Sequence, residues 1–277
     1  MGADLPCFVS TQSYNWTHVP ALFEAQRDAT SKRSGAPMNL DRRQRPRCAA
    51  LLALVLLANL VAAQPAPAAS VIADGDAVIF KGRIDAGSTA QFLSLLQTPT
   101  ITRLVITSGG GDVAAALDMA EAIHVRQLDI EVPSVCLSSC ANYVFPAGRR
   151  KTLGRPDAVG WHGNMAHVLF LQDSGRQHWS DTQIASARLL AAREADFYSR
   201  IGVDGFVCWF GKMAPYDVED FYWLSADDMA RFDIQDVILL TPMSGVTANP
   251  EVREIRVDGD TLERARRHAR PSVQPPA

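Results

Sequence analysis

The apolar triplet Leu104-Val105-Ile106 runs almost directly into Ser108-Gly109-Gly110-Gly111-Asp112, after which Ala116, Met119, Ala120 and Ile123 recur at helical spacing. A buried strand, a glycine turn and an amphipathic helix in succession leave few architectures open, because the helix must fold back onto the sheet that holds the strand. The pattern extends both ways. Val78 to Phe80 reads as an earlier strand followed by a helix through Gln91 to Leu96, and Ile130 to Val135 reads as a later strand. A long helix is expected from about Thr182 to Ile201 with Ser180 as N-cap, then a short helix capped by Ser225, and a last strand at Val237-Ile238-Leu239-Leu240. Strands alternating with helices predict an α/β fold with a mostly parallel sheet and flanking helices.

Ahead of this pattern the chain changes character. Residues 1–37 lack apolar periodicity and read as a mis-called extension before Met38. Arg42, Arg43, Arg45 and Arg47 form a basic region, and the apolar run Ala49 to Ala63 suits a signal peptide, being shorter than the roughly 20 residues of a membrane span. Val61-Ala62-Ala63 supplies a small-residue cleavage site, and Cys48, at the front of the run, is misplaced for a lipid acceptor. The expected organisation is therefore an extension (1–37), a signal peptide (38–63), a Pro/Ala-rich leader (64–70), an α/β domain (71–245) and a polar, basic, partly disordered tail (246–277). Arg264, Arg266, Arg267 and Arg270 cluster in that tail. Export, to the periplasm, is the expectation, with anchoring by an uncleaved N-terminal segment as the alternative. The part beyond the leader, roughly 210 residues, suffices for one domain with a substantial core. A net charge of −3 argues against a nucleic-acid partner.

Chemistry concentrates in Val135-Cys136-Leu137-Ser138-Ser139-Cys140-Ala141-Asn142-Tyr143 and, further on, Val159-Gly160-Trp161-His162. A serine at a strand-to-helix junction and a histidine ending the next apolar run supply a nucleophile and a base, and the opening helix turn supplies N–H groups for an oxyanion. Simpler roles compete: Ser138 or Ser139 as a helix N-cap, and His162 as a satisfied core histidine. Gly109, Gly111 and Ala114 also fit a dinucleotide pattern, with Asp129 and Glu131 downstream, but the turn follows the second strand instead of opening the domain. An oxyanion loop ranks first for these glycines, close packing second and a dinucleotide site third. Cys136, Cys140 and His162, with His167 nearby, make a poor zinc signature, so neither metal nor cofactor is expected. The odd set Cys136, Cys140 and Cys208 suggests one disulfide and one free thiol, with the pairing open. The aromatic cluster Phe206, Trp209, Phe210, Phe221, Tyr222 and Trp223 reads as core, oligomer contact or groove wall.

These motifs resemble the ClpP/crotonase superfamily, on its serine-peptidase side, over about Val71 to Leu240. Ile106 to Gly111 is similar to the family's strand and oxyanion loop, Ser139 to Gly148 resembles its nucleophile helix without a gap, and Val159 to His162 resembles the strand ending in the catalytic histidine. The segment Asp217 to Ala226 resembles the stretch in which an aspartate precedes a Leu-Ser-Ala helix cap, with Asp220 or Glu219 as substitutes. The resemblance implies a repeated ββα spiral and a serine hydrolase acting on peptides or proteins. Its triad would be Ser139, His162 and Asp217, with an oxyanion hole from Gly110 or Gly111 and the Cys140 N–H. Self-association is typical of the family. The Gln172 to His178 segment differs from the family's intersubunit handle, and no ATPase partner is expected. A catalytically inactive binding or assembly protein of the cell envelope is the alternative.

Overall fold

The computed structural model describes residues 68–240 and 252–269, and the segments read as extension, signal peptide and most of the leader lie outside them. Ten strands and six helices follow in order. Strands β1 (Ser70–Asp74), β2 (Ala77–Lys81), β3 (Arg103–Thr107), β4 (Asp129–Val132), β6 (Lys151–Leu153) and β9 (Val237–Leu239) form one sheet in the order β1-β2-β3-β4-β6-β9. Only the β1–β2 pair is antiparallel; the other four pairings are parallel. Helices α1 (Ala86–Leu95) and α2 (Val113–Arg126) make the crossovers that parallel strands require. The architecture is thus α/β with a mostly parallel central sheet.

Strand residues alternate in burial. Val78, Phe80, Leu104, Ile106 and Val132 are fully buried, whereas Ile79, Val105 and Glu131 are only half-buried. Each buried aliphatic or aromatic side chain contributes about 1.5–3 kcal/mol of transfer free energy. Val105, in the middle of an apolar triplet, therefore belongs to a sheet with one well-covered face, not to a strand enclosed on both sides.

The strand expected over Ile130 to Val135 stops at Val132. Pro133 has no N–H to continue the ladder, and the chain leaves the main sheet there. It resumes as β5 (Cys136–Leu137), paired in parallel with β7 (Val159–Gly160). A further parallel pair joins β8 (Phe221–Trp223) to β10 (Val252–Glu254). Bridges Ile84–Gly111, Ser108–Cys136 and Trp161–Tyr222 connect the first β-α loop, the glycine turn, β5, β7 and β8 into a second ladder, and this ladder carries the site.

Helices α3 (Met165–Asp173), α4 (Asp181–Ile201), α5 (Ala226–Ala230) and α6 (Gly259–Ala269) complete the described residues. Ser180 and Gln183 form a reciprocal capping box on α4, Gly202 ends it in the left-handed conformation, and Ser225 caps α5. Within the segment read as a polar, basic tail, residues 252–269 fold as β10 and helix α6. Leu262 and Ala265 are buried, and Arg266 pairs with Asp204 at 2.7 Å. Basic residues there cover the outer face of a docked helix. No helix of the described residues is long and apolar enough to cross a membrane.

Candidate active site

Register brings Ser138 and His162 together. Leu137 of β5 lies opposite Gly160 of β7, and the Ser138 N–H donates to the Gly160 carbonyl at 3.1 Å, so the residues just beyond both strands emerge side by side. Ser138 takes φ +57°, a left-handed conformation that costs a non-glycine residue roughly 1–2 kcal/mol. Its Oγ lies 2.8 Å from His162 Nε2. Both residues are partly exposed.

The hydroxyl on His162 is therefore that of Ser138, where Ser139 was expected to meet the histidine. Ser139 has helical dihedrals (φ −59°, ψ −25°) and opens the wide helical turn Cys140–Val144. Its Oγ accepts from the Gly111 N–H at 2.7 Å and donates to the Gly111 carbonyl at 3.1 Å, and the residue is 2 % exposed. A hydroxyl so engaged has neither a base nor access to substrate. The two serines differ by one backbone rotation, which turns the first toward the histidine and the second toward the glycine turn.

The glycine turn is shaped by close approach. A Cβ on Gly111 would lie 1.9 Å from the Ile84 carbonyl oxygen, and one on Gly110, at φ +89°, would lie 2.6 Å from that of Leu137. Only glycine lets these backbones meet. The expected oxyanion role is not matched by free donors, since the Gly110 N–H is bonded to Ser108 Oγ at 3.0 Å and the Gly111 N–H to Ser139. The N–H groups of Ser139 and Cys140, in the first turn of the helix, lack intrahelical acceptors by position and lie next to the Ser138 side chain in sequence. Cys140 thus keeps its candidacy as a donor, and Ser139 joins it through its backbone.

A disulfide joins Cys136 to Cys140 and closes a short loop around both serines, leaving Cys208 as a buried free thiol. That settles the pairing left open by the sequence, and it removes Cys136 and Cys140 as thiolate ligands. Among the described residues no group of three His, Cys, Asp or Glu side chains could hold a metal ion.

Asp217 does not reach the histidine. It is exposed, holds φ +44°, and donates its N–H to the Met213 carbonyl at 3.2 Å. Among the described residues no carboxylate hydrogen-bonds His162, and the imidazole lies against the Phe221 ring with centroids 4.5 Å apart. Asp220 and Glu219 contribute through their carbonyls, which accept from Lys212 Nζ at 2.7 and 2.6 Å. Burial, and secondarily the Lys212 charge, lower the His162 pKa to about 4, so the ring is neutral at pH 7. Lys212 is itself 8 % exposed, and burial brings its pKa down to about 8. Of the aromatic cluster, Phe206, Trp209, Phe210, Tyr222 and Trp223 are core, and Phe221 is the member that touches the site.

Beneath the pair lies a floor that the sequence did not reveal. Asn142 Nδ2 donates to the Gly163 carbonyl at 2.8 Å, Tyr143 donates its hydroxyl proton to Glu194, and Tyr198 donates to the Asn142 carbonyl at 2.9 Å. Only the place of Glu194 on the otherwise apolar inner face of α4, with Ile184, Ala187, Phe197 and Tyr198, could have singled it out. Neither the protein-family models nor the curated proteins compared with this chain give a match.

Proposed function

We propose that this chain is a serine hydrolase acting on peptide bonds, with Ser138 as nucleophile and His162 as its base. One observation carries the reading: a partly exposed serine in a left-handed turn, with its Oγ 2.8 Å from a neutral imidazole nitrogen. With the proton of the ring on Nδ1, Nε2 accepts the hydroxyl proton as Oγ attacks an acyl carbon, and later returns it to the leaving group. The developing oxyanion would be met by the Ser139 and Cys140 N–H groups, each donor worth on the order of 3 kcal/mol in well-studied cases. The preference for peptide substrates, and any self-association, rests on the resemblance to ClpP/crotonase-type peptidases. The Cys136–Cys140 disulfide supports an exported location, since such bonds persist in oxidising compartments.

A second reading is a binding or assembly protein that keeps the fold without turnover. It is favoured by the lack, among the described residues, of a carboxylate on His162 and by the occupied N–H groups of Gly110 and Gly111. Labelling of the oxidised protein with a fluorophosphonate, followed by peptide mapping, separates the two. An adduct on Ser138 that vanishes in His162→Ala supports the hydrolase, and folded protein that takes up no probe supports the binding role.

A further inference from the structure

We propose that Glu194 is a positioning residue for the Ser138–His162 pair, its carboxyl group tying the helical turn that follows the nucleophile to the segment that follows the histidine. This rests on the hydrolase reading. Glu194 sits on α4, 1 % exposed, and one oxygen serves both neighbours. Oε1 accepts from the Tyr143 hydroxyl, five residues past Ser138, and from the Met165 N–H at 3.1 Å, three residues past His162. Asn142 makes a parallel tie by donating to the Gly163 carbonyl. Ser138 and His162 are therefore held at hydrogen-bond distance by β5–β7 pairing above and by these side chains below.

The other half of the floor is unsatisfied. Glu194 Oε2 and Asn142 Oδ1 are buried without a hydrogen-bond partner, although a buried carboxylate ordinarily needs several donors. A proton on Oε2 lowers this cost for Glu194, since a neutral acid is cheaper to bury than a carboxylate while Oε1 still accepts from Tyr143 and Met165. Burial raises the Glu194 pKa to about 7, against the opposing pull of the Tyr143, Met165 and Ala166 donors. The titratable groups facing it are Tyr143 on the nucleophile's helical turn, Tyr198 on α4 and Cys208 on the turn after α4. Burial pushes all three well above their ordinary values, so each is neutral near pH 7 and none supplies a balancing positive charge. Ionisation of Glu194 places an uncompensated charge under the pair. Because its folded pKa is raised, the stability this group contributes is complete below about pH 4.5 and is lost as pH rises through about 7.

The test uses the full oxidised domain with its histidines labelled with nitrogen-15, the His162 signal being identified by its loss in His162→Gln. In the wild type the ring resonances of His162 should move with a midpoint near pH 7, far from the ring's own midpoint. In Glu194→Gln that movement should vanish while the shift at pH 6 stays at the wild-type value. Tyr143→Phe, which removes one donor and keeps the ring, should move the midpoint upward. Fluorophosphonate labelling of Glu194→Gln should match wild type at pH 6 and lose any change across pH 7, whereas Glu194→Leu should label up to about 100-fold more slowly. A wild-type His162 signal indifferent to pH between 6 and 8, or a midpoint that persists in Glu194→Gln, overturns the proposal. Should Glu194→Gln not fold, a midpoint unmoved in Tyr143→Phe overturns it equally. If wild type takes up no probe yet the midpoint appears and responds to these variants, the hydrolase reading fails and the tie stands.

Discussion

On its solvent side the site holds Ser138, His162 and Phe221, all partly exposed, whereas beneath them Asn142, Tyr143 and Glu194 are 3 %, 0 % and 1 % exposed. The upper side is built from backbone register and one strained residue, with a single side-chain hydrogen bond between its reactive groups. The floor is built from side-chain hydrogen bonds to backbone atoms of the segments above, and it contains Glu194 Oε2 and Asn142 Oδ1, buried acceptors without a partner among the described residues. Partly exposed groups such as Ser138 and His162 cannot be locked by burial alone, so the locking falls to the buried residues beneath them.

The largest effects should fall on the upper side. Ser138→Ala and His162→Ala are each expected to lower fluorophosphonate labelling on the order of 10³-fold, while Ser139→Ala retains an adduct at Ser138. Mapping the adduct to Ser139 instead would invert the assignment of the two serines. Acid should act late on the same reaction. With the His162 pKa near 4, the base stays neutral well below the usual histidine range, and labelling should persist to about pH 5 and fail only as pH drops through 4. A midpoint at 6.5 would mean that the ring is neither desolvated nor under the influence of Lys212.

Stability comes next in size. Gly111→Ala drives a Cβ to 1.9 Å from the Ile84 carbonyl oxygen and should cost about 3 kcal/mol in urea unfolding. Removing the Cys136–Cys140 bond in a double alanine variant should cost about 2 kcal/mol by loop-closure entropy, with the larger fractional loss in labelling rate if the bond also holds the Ser138 turn. His162 and His167, with pKa values lowered to about 4 and about 3 by burial, both bind protons more readily when unfolded. Their contribution is therefore complete above about pH 6.5 and is lost as pH falls toward 4, opposite in sign to that of Glu194. In Glu194→Gln, which removes that opposing group, a urea midpoint that rises on acidification through this window would contradict the burial of the histidines. Asp217→Asn should be the smallest change, leaving labelling and stability unaltered, because the residue is exposed and asparagine tolerates its left-handed conformation.

Much of the scaffold was legible because it depends on local pattern. The strand at Leu104 to Ile106, the helix from Val113, the Ser180 cap and the Ser225 cap all follow from apolar spacing and capping chemistry. The strand end at Val132 was missed although Pro133 announced it, because apolar residues continue to Val135. Helix α6 was hidden by its arginines, whose charges mark a solvated face while Leu262 and Ala265 mark the docked one. At the site, a serine beside a histidine was readable as a residue pairing from Ser138-Ser139 and His162. Which serine it is depends on a positive φ that no residue type announces, and the absence of Asp217 from the pair depends on the path of residues 213–221.

The amino-acid sequence alone determined the α/β layering, the glycine requirement of the turn and the presence of neighbouring serines with a histidine beyond them, because each is written in residues close together along the chain. The tertiary structure alone decided that Ser138 faces His162, that Cys136 bonds Cys140, and that Glu194 sits beneath both. Those outcomes depend on strand register and on contacts between residues up to 51 positions apart, as between Tyr143 and Glu194, and only packing brings such residues together.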